Sequence, residues 1–171
     1  MDTAVIQFLA LRKEKAKESV TRALFLNTNK ASKNEILSMI DFPLTESPYT
    51  KDSFYYIHDN IGKTKAYELG LIYPQDIAAS LSSAFLEEYD FKFIVDLCAA
   101  HGGTTINILN KVSSNAICIA NDVSHERALT LSGNLERLGL DNVIVTNKDT
   151  KLLSKQLQGC ADLVILDAPC S

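Results

Sequence analysis

From residue 93 onward the chain alternates short apolar runs with helical stripes. Phe93 to Leu97, Ala116 to Ala120, Val143 to Thr146 and Leu163 to Leu166 are nearly continuous in Val, Ile, Leu and Ala, as expected of strands buried on both faces of a parallel sheet. Between the second and third runs, Ala128, Leu131, Leu135 and Leu138 share one helical face. Ser124 is placed to cap that helix and Gly139 to end it. A helix reaching about Val112 and a short polar one near 150–158 fill the remaining gaps. This alternation predicts an open α/β domain over 91–171 with right-handed crossovers, and the strand order expected of it is 3-2-1-4.

The pattern upstream is different. Ile77, Leu81, Ala84 and Phe85 predict a helix over about 75–89, inside a connecting segment spanning 61–90. Residues 1–60 form a small α/β module. Val5, Phe8, Leu9, Ala16 and Val20 predict an amphipathic helix over 3–20, and Arg22 to Asn27 a short strand. A helix carrying Ile36, Leu37 and Ile40 then stops before Pro43. Pro43 to Asn60 is rich in turn formers, and its Phe54-Tyr55-Tyr56 knot reads as a strand pinning a loop to a core. His58 reads as a surface loop residue.

Composition narrows the class. The 171 residues carry 17 Lys+Arg against 21 Asp+Glu, a net charge of −4, which does not mark a strong phosphate binder. The basic cluster Arg12, Lys13, Lys15 and Lys17 is interrupted by Glu14 and reads as a solvated helix face. No apolar run approaches the roughly 20 residues of a membrane span, and no basic region precedes an apolar one at the N-terminus. A cytoplasmic protein without a membrane partner is expected. The four cysteines, Cys98, Cys118, Cys160 and Cys170, contain no CxxC pair, so neither a disulfide framework nor a metal site is expected. Cys118 and Cys160 read as buried or structural thiols.

The unusual residues follow the strands, at the edge where open parallel sheets bind ligands. After the first come Cys98, Ala99, Ala100, His101, Gly102, Gly103 and Thr104, small residues whose backbone N–H groups can approach a ligand closely. After the second, Asp122 can accept both hydroxyls of a ribose. Asp149, after the third, can accept the exocyclic amine of an adenine, cap the following helix, or do both. After the fourth, Asp167-Ala168-Pro169-Cys170 joins an acid, a stiff turn and a thiol, a set suited to a flat polar ring. The first two features fit NAD as well as S-adenosylmethionine. The lack of GxGxxG disfavours a nicotinamide dehydrogenase.

Taken in order and spacing, Val95 to Thr105, Asn121 to Arg127, Asp149 and Asp162 to Ser171 resemble the motifs of the Sun/RsmB/RsmF-type RNA cytosine-5 methyltransferases. Gly62-Lys63 and Tyr67 to Asp76 are similar to the stretch preceding that domain, and Arg22 to Asn27 to a strand of its RNA-contacting module. The resemblance covers about residues 20–171. It implies a partial Rossmann-like methyltransferase domain using S-adenosylmethionine, with ribosomal RNA as substrate and transfer RNA as the alternative. By the same resemblance, Cys98 to Thr104 wraps the methionine part of the cofactor, Asp122 holds its ribose and Asp149 its adenine. Asp167 contacts the cofactor region and the target cytosine, and the thiol matching Cys170 helps release the product.

Two loop positions depart from the family pattern: His101 stands where proline is usual, and Thr104 where lysine is usual. Losing both is expected to loosen the loop and weaken its attraction for the cofactor. His101 reads as drift rather than as a catalyst. The family's nucleophile lies on a Thr-Cys segment further downstream, which this sequence does not include. A fragment, or one half of a split enzyme completed by a C-terminal polypeptide, is therefore expected. A non-catalytic RNA- or cofactor-binding remnant is the other reading.

Overall fold

The computed structural model describes residues 22–84, 86, 90–112 and 115–168. The helix expected over 3–20, the basic cluster within it, Pro169 and Cys170 lie outside these residues. The described chain forms two four-stranded sheets.

The parallel sheet holds β5 (Phe93–Asp96), β6 (Ile117–Asn121), β7 (Val143–Thr146) and β8 (Leu163–Ile165). Their order, β7-β6-β5-β8, is the expected 3-2-1-4. Ile94, Cys118, Val143 and Leu163 share one face through their register. They pack on Ile106 of α4 (Gly103–Leu109) and on Leu131, Leu135 and Leu138 of α5 (His125–Leu138). Ser124 Oγ accepts the Arg127 N–H and Gly139 ends α5 at φ +73°, so both expected caps form. Burial pushes the Cys118 thiol up to about 12, leaving it an inert core group. Cys160, expected to be buried or structural, is exposed: it lies in the turn after α6 (Thr150–Gln156), which packs on the sheet through Leu153.

The opposite face of this sheet is thinly covered. Val95 is buried and packs with Leu153, but Ile117, Ile144 and Val164 on the same side are 52%, 56% and 56% exposed. β8 pairs only with β5 among the described strands and forms a free edge.

The second sheet is antiparallel. It contains β1 (Arg22–Leu26), β2 (Leu44–Glu46), β3 (Ser53–Tyr56) and β4 (Ile72–Gln75) in the order β2-β3-β1-β4. α1 (Lys33–Ser38) begins with a reciprocal capping box between Ser32 and Glu35, and its Ile36 joins Leu24, Leu26, Phe54 and Ile72 in the core. The aromatic knot is therefore a strand, as expected. His58 lies in a surface loop with its ring 4.7 Å from that of Phe42.

Two sequence expectations change here. Gln75 is not the start of a helix but the end of β4, and α3 begins at Ile77 (Ile77–Ala84). Periodicity could not show this, because Ile72 to Gln75 contains Pro74. The proline is accommodated because β4 is an edge strand and needs no donor on its outer side. The antiparallel sheet thus includes residues beyond the boundary expected at residue 60.

A polar junction joins the two sheets. Asn27 is fully buried and donates through Nδ2 to the carbonyls of Gly70 (2.9 Å) and Leu138 (2.8 Å). Lys30 Nζ donates to the carbonyls of Leu69 and Arg137. These are the orphan carbonyls at the C-terminal ends of α2 (Lys65–Glu68) and α5, which meet here. Arg137 donates in return to the Tyr67 and Ile72 carbonyls and lies 3.8 Å over the Tyr67 ring.

Candidate functional site

The carboxyl edge of the parallel sheet opens into a cleft of about 690 Å³. Its floor is the loop after β5. Ala99 N–H donates to the Asn121 carbonyl (2.8 Å) and Gly102 N–H to the Ala99 carbonyl (2.8 Å), turning the chain sharply. Ala100 at φ +50° and Gly102 at φ +98° both take left-handed conformations. The left-handed torsion at Gly102 favours glycine there, and a Cβ would also lie 2.8 Å from Leu131 Cδ1, so that side chain would have to shift.

The His101 side chain is exposed, but its carbonyl is held by Tyr73 Oη (2.9 Å) and Asn134 Nδ2 (3.0 Å). Burial pushes the Tyr73 phenol up to about 12, so it stays a donor at neutral pH. These two donors tie down the loop at His101.

Asp96, Asp122 and Asp167 line the cleft at the strand ends, and Asp76 lies on its opposite wall. Asp122, following β6, accepts the Ala100 N–H (3.0 Å), the Ser124 N–H (2.8 Å) and Arg127 Nε (3.0 Å). Burial alone would raise its pKa, but these donors and the Arg127 charge hold it below the usual carboxylate range. Asp167, with Ala168, lines the cleft on the other side of β5. Asp149 does not line it. It caps α6, accepting the Lys151 and Leu152 N–H groups at 2.8 and 3.2 Å, so its capping role is realised. Cys98, Ala99, Ala100, His101, Gly103 and Thr104 all line the cleft, while Gly102 sits beneath them.

Asp96 is a further acid of the cleft, and sequence reasoning did not select it. It is 1% exposed at the end of β5 and lines the cleft. It accepts Thr105 Oγ1 at 2.6 Å and the Cys98 N–H at 3.1 Å. Burial raises its pKa, the two bonds oppose the rise, and the charges of Asp167 and Asp122 add to it. An acid ending an apolar strand is a signal that could have been read. Thr105→Val is expected to cost about 1.5–3 kcal/mol, since it removes a bond to a charged buried group. Because the Asp96 pKa is already raised and would rise further, the loss should be small below the unfolded carboxylate value of about 4 and grow as pH increases. Urea unfolding at acid and neutral pH checks this; equal losses at both would contradict it.

Asn121 is also more than a neighbour of Asp122. Fully buried, it donates to the Leu97 and Lys148 carbonyls and accepts from Thr146 Oγ1 and the Lys148 N–H. It thereby fixes the ends of β5, β6 and β7 relative to one another. The remaining wall comes from the antiparallel unit: Tyr73, Pro74, Gln75 and Asp76 on or after β4, and Ala79 of α3. Gln75 and Asn107 of α4 exchange amide hydrogen bonds at 3.3 and 2.6 Å, which secures this wall.

The family described as 16S rRNA methyltransferase RsmB/F matches residues 83–171. The chain is 31% identical to ribosomal RNA small subunit methyltransferase F of Erwinia tasmaniensis over 160 residues, covering 88% of this chain and 34% of that protein. It is 34% identical to a tRNA (cytosine(49)-C(5))-methyltransferase of Pyrococcus abyssi over 151 residues, covering 85% and 48%. It thus spans about a third to a half of the length of these relatives. Among solved structures, a methyltransferase homolog from Pyrococcus horikoshii superposes with a TM-score of 0.79 at 27% identity, covering 92% of this chain and 53% of that one. NSun6 from Pyrococcus horikoshii with SFG shares the fold, with a TM-score of 0.79 at 20% identity over 92% of this chain and 65% of that one.

Proposed function

The chain belongs to the RsmB/F family of 16S rRNA methyltransferases, and from that membership we propose that it forms the cofactor-binding part of an S-adenosylmethionine-dependent RNA cytosine-C5 methyltransferase. The observation that carries this reading is the convergence of the Cys98–Thr104 loop, Asp96, Asp122 and Asp167 on one cleft. Its volume lies within the roughly 300–1,000 Å³ common for ligand pockets.

The donor set suits this cofactor. Asp122 offers an acceptor to ribose hydroxyls, and Asp96 and Asp167 place negative charge where an ammonium group would be stabilised. Asp149 caps α6 outside the cleft lining, so no adenine contact is assigned to it. Bound S-adenosylmethionine supplies an electrophilic methyl group. Asp167 orients the cytosine ring, and Cys170 assists product release.

Ribosomal RNA is the proposed substrate, following the family description and the Erwinia relative; the Pyrococcus abyssi relative makes transfer RNA the alternative. A complementing polypeptide is proposed to cover the face bearing Ile117, Ile144 and Val164 and to pair with the free edge of β8. We place the enzyme in the cytoplasm; no described helix is long and apolar enough to cross a membrane.

Calorimetric titration with S-adenosylhomocysteine tests the site. Asp122→Ala should weaken binding about ten- to a hundredfold, the equivalent of losing a bond to a charged acceptor. Equal affinities would refute the assignment. Transfer of labelled methyl to unmodified small-subunit RNA tests the activity. Turnover by the chain alone that vanishes in Cys170→Ala would make Cys170 the nucleophile and overturn its assigned role.

A further inference from the structure

Asp122 is engaged unevenly. Its Oδ1 accepts the Ser124 N–H at 2.8 Å and Arg127 Nε at 3.0 Å, and Arg127 Nη2 forms an ion pair with the same oxygen at 2.8 Å. These two hydrogen bonds occupy both lone pairs of that oxygen. Oδ2 accepts the Ala100 N–H at 3.0 Å, its one partner among the described residues, and keeps one lone pair. The Asp122 side chain is 4% exposed and that of Arg127 41%, and both line the cleft. The carboxylate therefore reaches the cleft through a narrow window, with the guanidinium forming the wall beside it. One turn of helix builds this arrangement, because Ser124 caps α5 and Arg127 stands in its first turn.

We propose that Arg127 is a positioning residue that sets ribose specificity: it occupies Asp122 Oδ1, so that the carboxylate grips one ribose hydroxyl through Oδ2 rather than both. The proposal rests on reading the cleft as a nucleoside cofactor site. A carboxylate with two open oxygens would bind both hydroxyls and penalise the loss of either. Here the loss of only one should matter. Lysine at this position would not reproduce the effect, because an ammonium is a single point donor without the rigid fork.

The test is calorimetric titration with S-adenosylhomocysteine and its 2′-deoxy and 3′-deoxy analogues. The wild-type protein should bind one analogue about tenfold or more weakly than the parent and the other within about twofold, since one charge-assisted bond is at stake. In Arg127→Met, which keeps the length but removes the donors, both analogues should lose affinity, because Oδ1 becomes available to the second hydroxyl. Arg127→Lys should restore the asymmetry only in part. Equal losses for both analogues in the wild type would overturn the proposal, and so would an Arg127→Met pattern identical to the wild type. The wild-type comparison decides the matter even if a variant does not fold. If the parent ligand fails to bind wild-type protein, the reading of the cleft itself falls.

Discussion

Gly70→Ala is expected to remove a large part of the protein's stability. Gly70 sits at φ +67°, and a Cβ there would lie 1.9 Å from the Arg137 carbonyl oxygen and 2.7 Å from its carbon. The obstacle is backbone at the end of a packed helix, which cannot rotate away. Left-handed strain in a non-glycine residue costs about 1–3 kcal/mol, and overpacking typically adds about 1–3 kcal/mol. A combined loss above about 3 kcal/mol is a large part of the roughly 5–15 kcal/mol that holds a domain together. Two other glycines calibrate the result. Gly159 has φ +73° with nothing near its missing Cβ, so Gly159→Ala should cost only the backbone part, about 1–3 kcal/mol. Gly133 lies in the interior of α5 with open space around it, so Gly133→Ala should stabilise by about 0.5–1 kcal/mol. Urea midpoints of the three variants should fall in that order; a Gly70→Ala midpoint matching Gly159→Ala would disprove the close approach.

Asn27→Asp is the second large effect, and it depends on pH. The substitution keeps the shape but replaces the Nδ2 donor to the Gly70 and Leu138 carbonyls with an oxygen. In its ionised form the new acid would face two carbonyl oxygens in a fully buried position. Orphaning buried polar groups costs about 1–3 kcal/mol each, and an unpaired buried charge costs more. The folded-state pKa of the new carboxyl must therefore lie above its unfolded value of about 4. The sign follows directly. Below that value both states hold the proton, and the acid can still donate to one carbonyl. As pH rises, the unfolded chain releases its proton first, so stability falls until the folded-state pKa is passed. The expected result is a variant that loses about 3 kcal/mol or more at neutral pH and much less near pH 3, measured by thermal melts across that range. A penalty independent of pH would show that the junction is solvated.

Both residues belong to the junction between the sheets, and neither draws notice in the sequence. Asn27 ends a predicted strand and Gly70 lies in a connecting segment. Their importance comes from a meeting of two helix ends, Leu69-Gly70 and Arg137-Leu138, that are far apart in the chain. No local pattern records which carbonyls a fold will bring together.

The parallel sheet, by contrast, was legible. Continuous Val, Ile and Leu runs separated by a capped helical stripe admit few arrangements, because hydrophobic period and crossover handedness both act on local sequence. The caps at Ser124 and Gly139 follow from that alone, whereas the strand order, which right-handed crossovers leave open, came with the family resemblance. The carboxyl edge was legible for the same reason: a residue just after a parallel strand is at that edge wherever the rest of the chain goes, which placed the Cys98–Thr104 loop, Asp122 and Asp167 together. What the sequence could not supply was partnership. The pairing of β4 with β1 brings Tyr73 and Gln75 into the cleft wall. The meeting of the Cys98–Thr104 loop with α5 lets Asp122 receive Ala100 as well as Arg127. Such contacts depend on how whole elements pack, where burial and hydrogen-bond satisfaction are settled jointly by residues distant in the chain, and only the tertiary structure decides them.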